Sequence, residues 1–337
     1  MKEAMLYKQL DHGDVHCFLC AQHCRIKSGD RGKCGVRENR EGTLYSLVYG
    51  KLIARNVDPI EKKPLFHFMP GTRSFSIATA GCNFRCLFCQ NADISQVPPG
   101  LKTIYGTEAA PKTLVEGALR SRSASISYTY TEPTIFMEYA LDVAREARAS
   151  GLRNVFVSNG FMTREALDAV APYLDAANID LKAFTDRFYG DQCGARLKPV
   201  LDTLRAMKER NIWVEVTTLL IPGLNDDPEE LRGLAEFLLS LGPETPWHVS
   251  RFHPTYRMTD RPVTPLETLE RAREIGLEAG LRYVYTGNVP GTDGEHTYCH
   301  HCHALLIERY GFSIQRRELA DGVCARCGTP PAGVDVQ

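Results

Sequence analysis

The stretch ATAGCNFRCLFCQN, residues 78–91, carries three cysteines with the spacing Cys-x3-Cys-x2-Cys. Three thiolates this close together suit an iron–sulfur cluster. With three protein ligands, one iron of a [4Fe–4S] cluster stays open, as in catalytic metal sites that keep an open position. A structural zinc site or buried core cysteines are the alternatives, but zinc normally takes four ligands and neither Cys nor His occurs between Cys89 and Cys193. We therefore expect Cys82, Cys86 and Cys89 to be catalytic metal ligands.

Outward from this stretch, the chain alternates between short apolar runs and amphipathic runs. Strands are predicted at residues 75–79, 124–129, 154–158, 176–181, 212–218, 248–252 and 282–285. Helices are predicted at residues 134–149, 164–173, 197–210, 228–241 and 265–279. Such alternation indicates a parallel sheet with right-handed crossovers. The number of units favours an α/β fold of the partial (β/α)6 TIM-type barrel over residues 71–292.

The segment CNFRCLFC resembles the CxxxCxxC signature of the radical S-adenosylmethionine (SAM) superfamily, whose fold is a partial (β/α)6 barrel. In that superfamily the open iron of a [4Fe–4S] cluster binds SAM. Reductive cleavage then yields methionine and a 5′-deoxyadenosyl radical that abstracts a substrate hydrogen. Phe88, the aromatic residue before the last cysteine, also matches the family pattern and is a cofactor-binding candidate. The resemblance implies an activating-enzyme-like oxidoreductase that acts on an unidentified, macromolecular substrate.

The segment SYTYTEPT, residues 127–134, follows the second predicted strand, where the family places its methionine-amine-binding motif. The resemblance implies that Glu132 accepts hydrogen bonds from the SAM ammonium group, a charge-assisted contact. The alternative is a carboxylate at a helix N-terminus beside Pro133, stabilised by the helix dipole. Both roles are compatible in one residue.

Further SAM-binding candidates follow later strands of the predicted barrel. VSNG (157–160) and IDLKAF (179–184) are similar to loops that reach the ribose and carboxylate of SAM, with a solvated loop face as the alternative. VTTLLIPGLND (216–226) resembles the adenine-flanking segment. HVSRFHPTY (248–256) ends the sixth strand. All these motifs fall at carboxyl ends of predicted strands, where parallel α/β barrels build their sites. The candidates are Asn159, Asp180, Lys182, and His253 or Arg251.

Other segments are similar to one branch of the superfamily. DPIEKKPLFHFMPGT (58–72), YTEPT and IDLKAF resemble pyruvate formate-lyase activating enzyme. HCFLCAQHCRIKSGDRGKCGVREN (16–39) and the C-terminal cysteine pairs resemble the AmmeMemoRadiSam-system radical SAM proteins. This resemblance implies a reductant such as flavodoxin or ferredoxin, a protein substrate, and AMMECR1-like and Memo-like partner proteins. One departure is that no ferredoxin-like cysteine insert follows Cys89.

The remaining clustered cysteines lie near the two ends of the sequence. The C-terminal pairs are typical of a zinc ribbon, although four soft thiolates also suit an iron–sulfur cluster. The N-terminal tetrad is less regular and admits zinc or an auxiliary cluster. We expect Cys-rich metal-binding segments at residues 1–70 and 293–337. Their candidate ligands are Cys17, Cys20, Cys24 and Cys34, and Cys299, Cys302, Cys324 and Cys327.

The composition of the chain limits which classes of function remain. The 40 basic and 41 acidic side chains nearly cancel, so no overall field steers the chain toward nucleic acid or membrane. The first residues lack the apolar core of a signal peptide, and no stretch could span a bilayer. The sequence therefore predicts a cytoplasmic protein without a membrane partner, in which clustered thiols stay reduced and bind metal.

Two other functions stay open at this point. One is an RNA-modifying radical SAM enzyme, because zinc ribbons often bind RNA; a nucleic-acid partner is therefore not excluded. The other is a zinc-stapled, non-catalytic binding protein whose barrel has lost its chemistry. The presence of the three central cysteines and Glu132 argues against the second.

Overall fold

The structure is a computed structural model that describes residues 1–98, 100, 101 and 103–337. Its main feature is an eight-stranded sheet in the order β8-β7-β6-β5-β4-β3-β2-β1. Strands β2 to β8 are parallel, and β1 is antiparallel to β2. The strands are β1 (Ala54–Pro59), β2 (Arg73–Ala78), β3 (Ser125–Tyr128), β4 (Arg153–Ser158), β5 (Ala176–Asp180), β6 (Trp213–Leu220), β7 (Trp247–Arg251) and β8 (Val284–Gly287).

Six helices alternate with the parallel strands. They are α1 (Pro111–Arg120), α2 (Met137–Ala149), α3 (Arg164–Val170), α4 (Leu197–Glu209), α5 (Pro228–Leu241) and α6 (Leu266–Glu278). Short helices lie at Ala92–Ser95 and Asp186–Phe188, the latter continued by a π-turn at Tyr189–Cys193. Short 3-10 turns lie at Asp11–Gly13, Ile60–Lys62, Pro133–Phe136 and Asp293–Glu295.

The expected α/β partial barrel is confirmed. All four residues of β3 are buried, as are all of β2 except its first, which is typical of parallel strands covered on both faces. The sheet runs linearly from β8 to β1, so the barrel is open rather than closed. All seven predicted strands and all five predicted helices are present; α1 and the antiparallel strand β1 are additional.

Local sequence explains where several helices begin and how they pack. Asp227 caps α5 by accepting the backbone N–H groups of Glu229 and Glu230, and Pro228 occupies the first helical position. Helix α1 packs against β2 through Gly117, where a Cβ would lie 3.1 Å from the ring of Phe75.

The N-terminal segment packs on the barrel through small antiparallel sheets. Their strands are Tyr7–Gln9, Val15–Cys17 and Arg25–Ile26 in one sheet, and Lys2–Glu3, Thr43–Ser46 and Arg37–Arg40 in the other. A further pair joins Lys51–Leu52 to Thr107–Glu108. The segment is fixed to α2 by a buried ion pair, in which Nη2 of Arg37 lies 2.8 Å from Oε1 of Glu138.

The C-terminal segment forms a three-stranded sheet of Thr297–Tyr298, Leu305–Tyr310 and Ser313–Arg317, followed by a hairpin of Leu319–Ala320 and Val323–Cys324. Its buried Arg309 donates to the carbonyl of Phe66 at 3.0 Å and lies 4.3 Å from that ring. The backbone N–H groups of Phe66 and His67 in turn donate to Glu215 near the start of β6. The C-terminal segment thus packs against the amino-terminal end of the barrel.

Strand β1 lies before residue 71, so the sheet includes a strand from the expected N-terminal segment, residues 1–70. The division into residues 1–70, 71–292 and 293–337 stays a prediction. Among the described residues, no helix is both long enough and apolar enough to cross a membrane.

Candidate functional site

A cavity of about 510 Å³ opens at the carboxyl ends of the parallel strands. Three cysteine side chains from the segment after β2 line one part of it, and polar side chains after β3, β4 and β5 line another. The structure therefore brings together predicted site residues that are up to one hundred positions apart in sequence. The predicted residues that line the cavity are Cys82, Cys86, Cys89, Phe88, Glu132, Asn159, Asp180 and Lys182.

Two predicted candidates lie elsewhere. His253 is exposed and does not line the cavity. Arg251 is half-buried and donates through Nε to the carbonyl of Thr264 at 2.8 Å, which holds its side chain against the following loop. Strand β7 itself contributes Ser250 to the cavity instead.

The loop that carries the three cysteines is held in an extended conformation. The backbone N–H groups of Arg85 and Leu87 donate to the carbonyls of Cys193 and Gln192 at 2.8 and 2.9 Å. This pairing turns the alternate residues Cys82, Phe84, Cys86 and Phe88 toward the cavity, as in a strand. The loop enters through Gly81, whose φ of +101° and close approach to the carbonyl of Cys34 leave no room for a side chain.

The three thiols form a soft donor set without a disulfide. Burial raises the pKa of Cys82 and Cys89 above the usual thiol range. A hydrogen bond that the Cys86 thiol donates to Cys193, together with burial, raises the pKa of Cys86. These sulfur atoms therefore need a bound cation to become thiolates. Three cysteine ligands around one cavity fit an iron–sulfur cluster with one open iron, because such clusters are held by thiolates.

Glu132 is buried at the end of the segment after β3 and is nearly saturated with hydrogen bonds. Its Oε1 accepts from the backbone N–H of Thr134 at 3.0 Å, the Thr134 hydroxyl at 2.6 Å and the Ser158 hydroxyl at 2.8 Å. Its Oε2 accepts only the backbone N–H of Asn159, at 2.8 Å. Burial raises the pKa of this carboxyl, and the Thr134 hydrogen bonds oppose the shift. Glu132 therefore caps the turn that begins at Pro133 and keeps an acceptor position at Oε2.

Asn159 connects the segment after β4 to the cysteine loop. Its Nδ2 lies 3.8 Å from the sulfur of Cys82 and donates to Oδ1 of Asn83 at 2.8 Å. Its Oδ1 accepts the backbone N–H of Phe161 at 3.0 Å. The amide is thus held in one orientation with its donor group toward the thiol.

Asp180 and Lys182 form an ion pair of 3.0 Å at the cavity. Burial disfavours the charge on Lys182, but Asp180 and the Cys86 thiol outweigh it and hold the pKa of the lysine well above its usual value. The ammonium group lies 5.7 Å from the centre of the Phe88 ring. A permanent positive charge therefore lies beside the cysteine loop.

Sequence reasoning missed a second charged group on the cavity wall. Lys63 is buried and donates to Oδ2 of Asp58 at 2.6 Å, and the hydroxyl of Tyr130 donates to the same carboxylate oxygen. Burial lowers the pKa of Lys63 to about 8. The signal available in the sequence was the run DPIEKKP, in which an acid precedes two lysines and a proline.

The two terminal tetrads differ in geometry. In the C-terminal one, Sγ of Cys299 lies 3.6 Å from that of Cys327, and Sγ of Cys302 lies 3.6 Å from that of Cys324. All four sulfur atoms lie within 4.8 Å of one another, the only such group of His, Cys, Asp or Glu in the described part of the chain.

The N-terminal cysteines are less tightly grouped, and the rings of His16 and His23 in the same segment are tilted against each other with their centres 5.6 Å apart. Burial raises the pKa of Cys34 to about 11. Three of these cysteines are buried and Cys24 is half-buried.

Comparisons with known proteins agree with this geometry. Residues 76–238 match the family model described as Radical SAM superfamily. A protein of Methanocaldococcus jannaschii, described as uncharacterized protein MJ0808, is 50% identical over 331 residues, covering 97% of this chain and 98% of that protein. Pyruvate formate-lyase 1-activating enzyme of Escherichia coli is 22% identical over 229 residues, covering 64% of this chain and 93% of the enzyme.

A solved structure supports the fold alone. A radical SAM methyltransferase from Sphaerobacter thermophilus superposes with a TM-score of 0.51 at 16% identity, covering 68% of this chain and 71% of the other.

Proposed function

Because the chain belongs to the radical SAM superfamily, within the branch that includes pyruvate formate-lyase activating enzymes, we propose that its cavity holds a [4Fe–4S] cluster on Cys82, Cys86 and Cys89 and binds SAM beside it. When bound, the cluster supplies one electron that cleaves SAM to methionine and a 5′-deoxyadenosyl radical, which abstracts a substrate hydrogen. The chain is an enzyme of the radical SAM class; the chemistry in the cavity and its substrate are our proposal.

One observation carries this proposal. Three thiols line the same cavity as Glu132, Asn159, Asp180 and Lys182, although these residues come from four separate strand ends. A structural metal site would need no cavity beside it. A thiol-lined cavity of about 510 Å³ is in the range of small-molecule sites.

The side chains around the cavity have separate roles in this proposal. The open acceptor position at Oε2 of Glu132 would bind the SAM ammonium group. The amide of Asn159 would donate to the Cys82 sulfur, and the charge of Lys182 would stabilise Cys86 as a thiolate. The paired Asp180 would retain Lys182 in this position.

Anaerobic reconstitution with iron and sulfide tests the proposal. Cys82→Ala, Cys86→Ala and Cys89→Ala should each lose bound iron and form no 5′-deoxyadenosine from SAM with dithionite. His253→Ala is the control, because His253 is exposed and does not line the cavity, and it should keep both. Cleavage at the unaltered rate by Cys86→Ala, with its iron content unchanged, would contradict the ligand assignment.

We also propose zinc at the C-terminal tetrad. A tetrahedral site with Zn–S bonds of about 2.3 Å places its sulfur atoms about 3.8 Å apart, which agrees with the two separations of 3.6 Å between Sγ atoms. The N-terminal tetrad lacks this compact geometry, so zinc and an auxiliary iron–sulfur cluster both stay open there.

The proposed substrate is macromolecular, with a protein as the first candidate. Flavodoxin or ferredoxin is the proposed reductant, and the cytoplasm, where thiols stay reduced, is the proposed location. The resemblance of the Cys-rich termini to AmmeMemoRadiSam-system proteins makes AMMECR1-like and Memo-like proteins candidate partners. Deuterium transfer from a labelled substrate into 5′-deoxyadenosine would identify the substrate.

A further inference from the structure

Three cations lie together on the outer surface of the cysteine loop. Lys33 donates through Nζ to the carbonyl of Gly194 at 2.7 Å, and Arg196 donates to the carbonyl of Ala21 at 2.6 Å. Arg85 donates to the carbonyl of Lys33. We call Lys33, Arg85 and Arg196 the loop patch.

No carboxylate among the described residues forms an ion pair with the loop patch. Lys198, another exposed cation, contacts the carboxylate of Asp202 at 2.5 Å. None of the three patch cations lies within 4.0 Å of a carboxylate oxygen in the described part of the chain; their oxygen partners are backbone carbonyls and the Gln22 amide. The patch therefore presents three positive charges that no carboxylate pairs with among the described residues, in a chain whose formal net charge is −1.

The three charges are close enough to repel one another. A Cβ added at Gly194 would lie 3.6 Å from Cβ of Arg85 and 3.7 Å from Nζ of Lys33, so these two side chains flank the same residue. Lys33 and Arg196 are exposed and Arg85 is half-buried, so solvent reaches all three. An anionic surface placed against them would relieve this repulsion.

The position of the patch relative to the cavity indicates its use. Phe84 and Cys86 line the cavity, whereas Arg85 between them does not. The Arg85 guanidinium turns back and donates to the carbonyls of Cys82 and Phe84 at 3.0 and 3.1 Å. The patch therefore contacts the backbone of a proposed cluster ligand from the face opposite the cavity.

We propose that the loop patch docks an acidic electron-transfer protein, which reduces the site through the cysteine loop. This inference rests on the proposed function. The donor gives up one electron to the proposed cluster, and no atom or proton crosses the interface. A donor bound here leaves the cavity free for SAM and substrate, because it approaches the loop from the other side.

A nucleic-acid partner fits this position less well. A nucleic-acid substrate would have to place its reacting group inside the cavity, whereas the loop patch faces away from it.

Binding to oxidised flavodoxin tests the proposal without relying on turnover. The full chain is titrated into flavodoxin, and flavin fluorescence anisotropy is followed at low salt. Lys33→Glu/Arg196→Glu should weaken binding at least ten-fold, and the wild-type affinity should fall as salt is raised. Lys112→Glu/Arg271→Glu changes two other exposed lysine and arginine residues on α1 and α6 by the same total charge. This control should bind within two-fold of wild type.

Turnover separates the two proposals. The patch variant should cleave SAM at the wild-type rate with dithionite and several-fold more slowly with reduced flavodoxin. If wild type fails with dithionite, the proposed function fails independently of flavodoxin binding. Lys33→Gln/Arg196→Gln removes the two charges without reversing them and should show an intermediate loss of affinity. This variant is the control for a perturbation of the N-terminal segment by charge reversal.

Equal flavodoxin affinity of wild type and both patch variants would overturn the proposal. So would an oligonucleotide that displaces flavodoxin from wild type and loses its own binding in the same variants, because the patch would then bind nucleic acid.

Discussion

Glu132 accepts the backbone N–H of Asn159 at 2.8 Å, and this hydrogen bond joins the segments that follow β3 and β4. Two proposed SAM-binding residues therefore hold each other in place. Loss of the Glu132 carboxylate would disturb the position of Asn159 beside Cys82, so stability and ligand binding are coupled at this residue.

Glu132→Ala should both destabilise the protein and weaken SAM binding. The buried groups of Thr134, Ser158 and Asn159 lose their acceptor, and each hydrogen bond to a charged group is worth about 1.5–3 kcal/mol. Glu132→Gln keeps part of the network and should retain most of the stability while SAM affinity still falls about ten-fold. Isothermal titration with SAM and urea unfolding measure the two effects. Unchanged SAM affinity in both variants would leave Glu132 with the turn-capping role alone.

Arg37→Met should destabilise the contact between the N-terminal segment and α2 by about 3–5 kcal/mol, because it leaves the buried Glu138 without its ion-pair partner. Arg37→Met/Glu138→Leu removes both charges and should recover part of this loss. Urea unfolding and limited proteolysis of the N-terminal segment provide the measurements. A cost below about 1 kcal/mol for Arg37→Met would show that water replaces the missing guanidinium.

Stability should fall as the pH decreases from about 6.5 to about 4. Burial lowers the pKa of His67 to about 4, whereas an unfolded histidine titrates near about 6.5. The unfolded chain therefore binds a proton that the folded chain rejects, which costs about 2 kcal/mol at pH 5. Burial disfavours the charge of Glu215, but the hydrogen bond from His248 lowers the pKa of this carboxyl. The stability that ionised Glu215 contributes is therefore also lost as the pH falls.

Thermal melting at pH 7.5, 6 and 5 measures this dependence. His67→Gln should have a lower Tm at pH 7.5 and a flatter dependence on pH. A wild-type Tm that does not change between pH 7.5 and pH 5 would contradict the assignment of a neutral, buried His67.

Removal of metal from the C-terminal tetrad should unfold that segment locally. Cys302→Ser should lose about one equivalent of zinc and lower the Tm, since metal binding in such segments is coupled to folding. His301→Ala is the control at the same hook, because His301 is exposed and outside the tetrad. Elemental analysis distinguishes the outcomes: loss of iron instead of zinc from Cys302→Ser would indicate an auxiliary cluster.

The sequence by itself determined the repeating part of the molecule. The seven parallel strands and five of the six helices that alternate with them follow from apolar periodicity, which is a local property of each segment. The Cys-x3-Cys-x2-Cys spacing likewise depends on eight consecutive residues. Glu132, Asn159, Asp180 and Lys182 were identified by the resemblance of their segments to SAM-binding motifs, and these segments also fall at the carboxyl ends of strands, where parallel α/β barrels build their sites.

Only the tertiary structure decided which distant segments meet at the site. Strand β1 joins the sheet as an antiparallel edge, and its Asp58 pairs with Lys63, which lies on the cavity wall. Cys193 contacts Cys86 because a π-turn pairs with the cysteine loop. His253 follows β7 but is directed to solvent. These outcomes depend on packing between segments far apart in the chain, and local periodicity contains no information about such contacts.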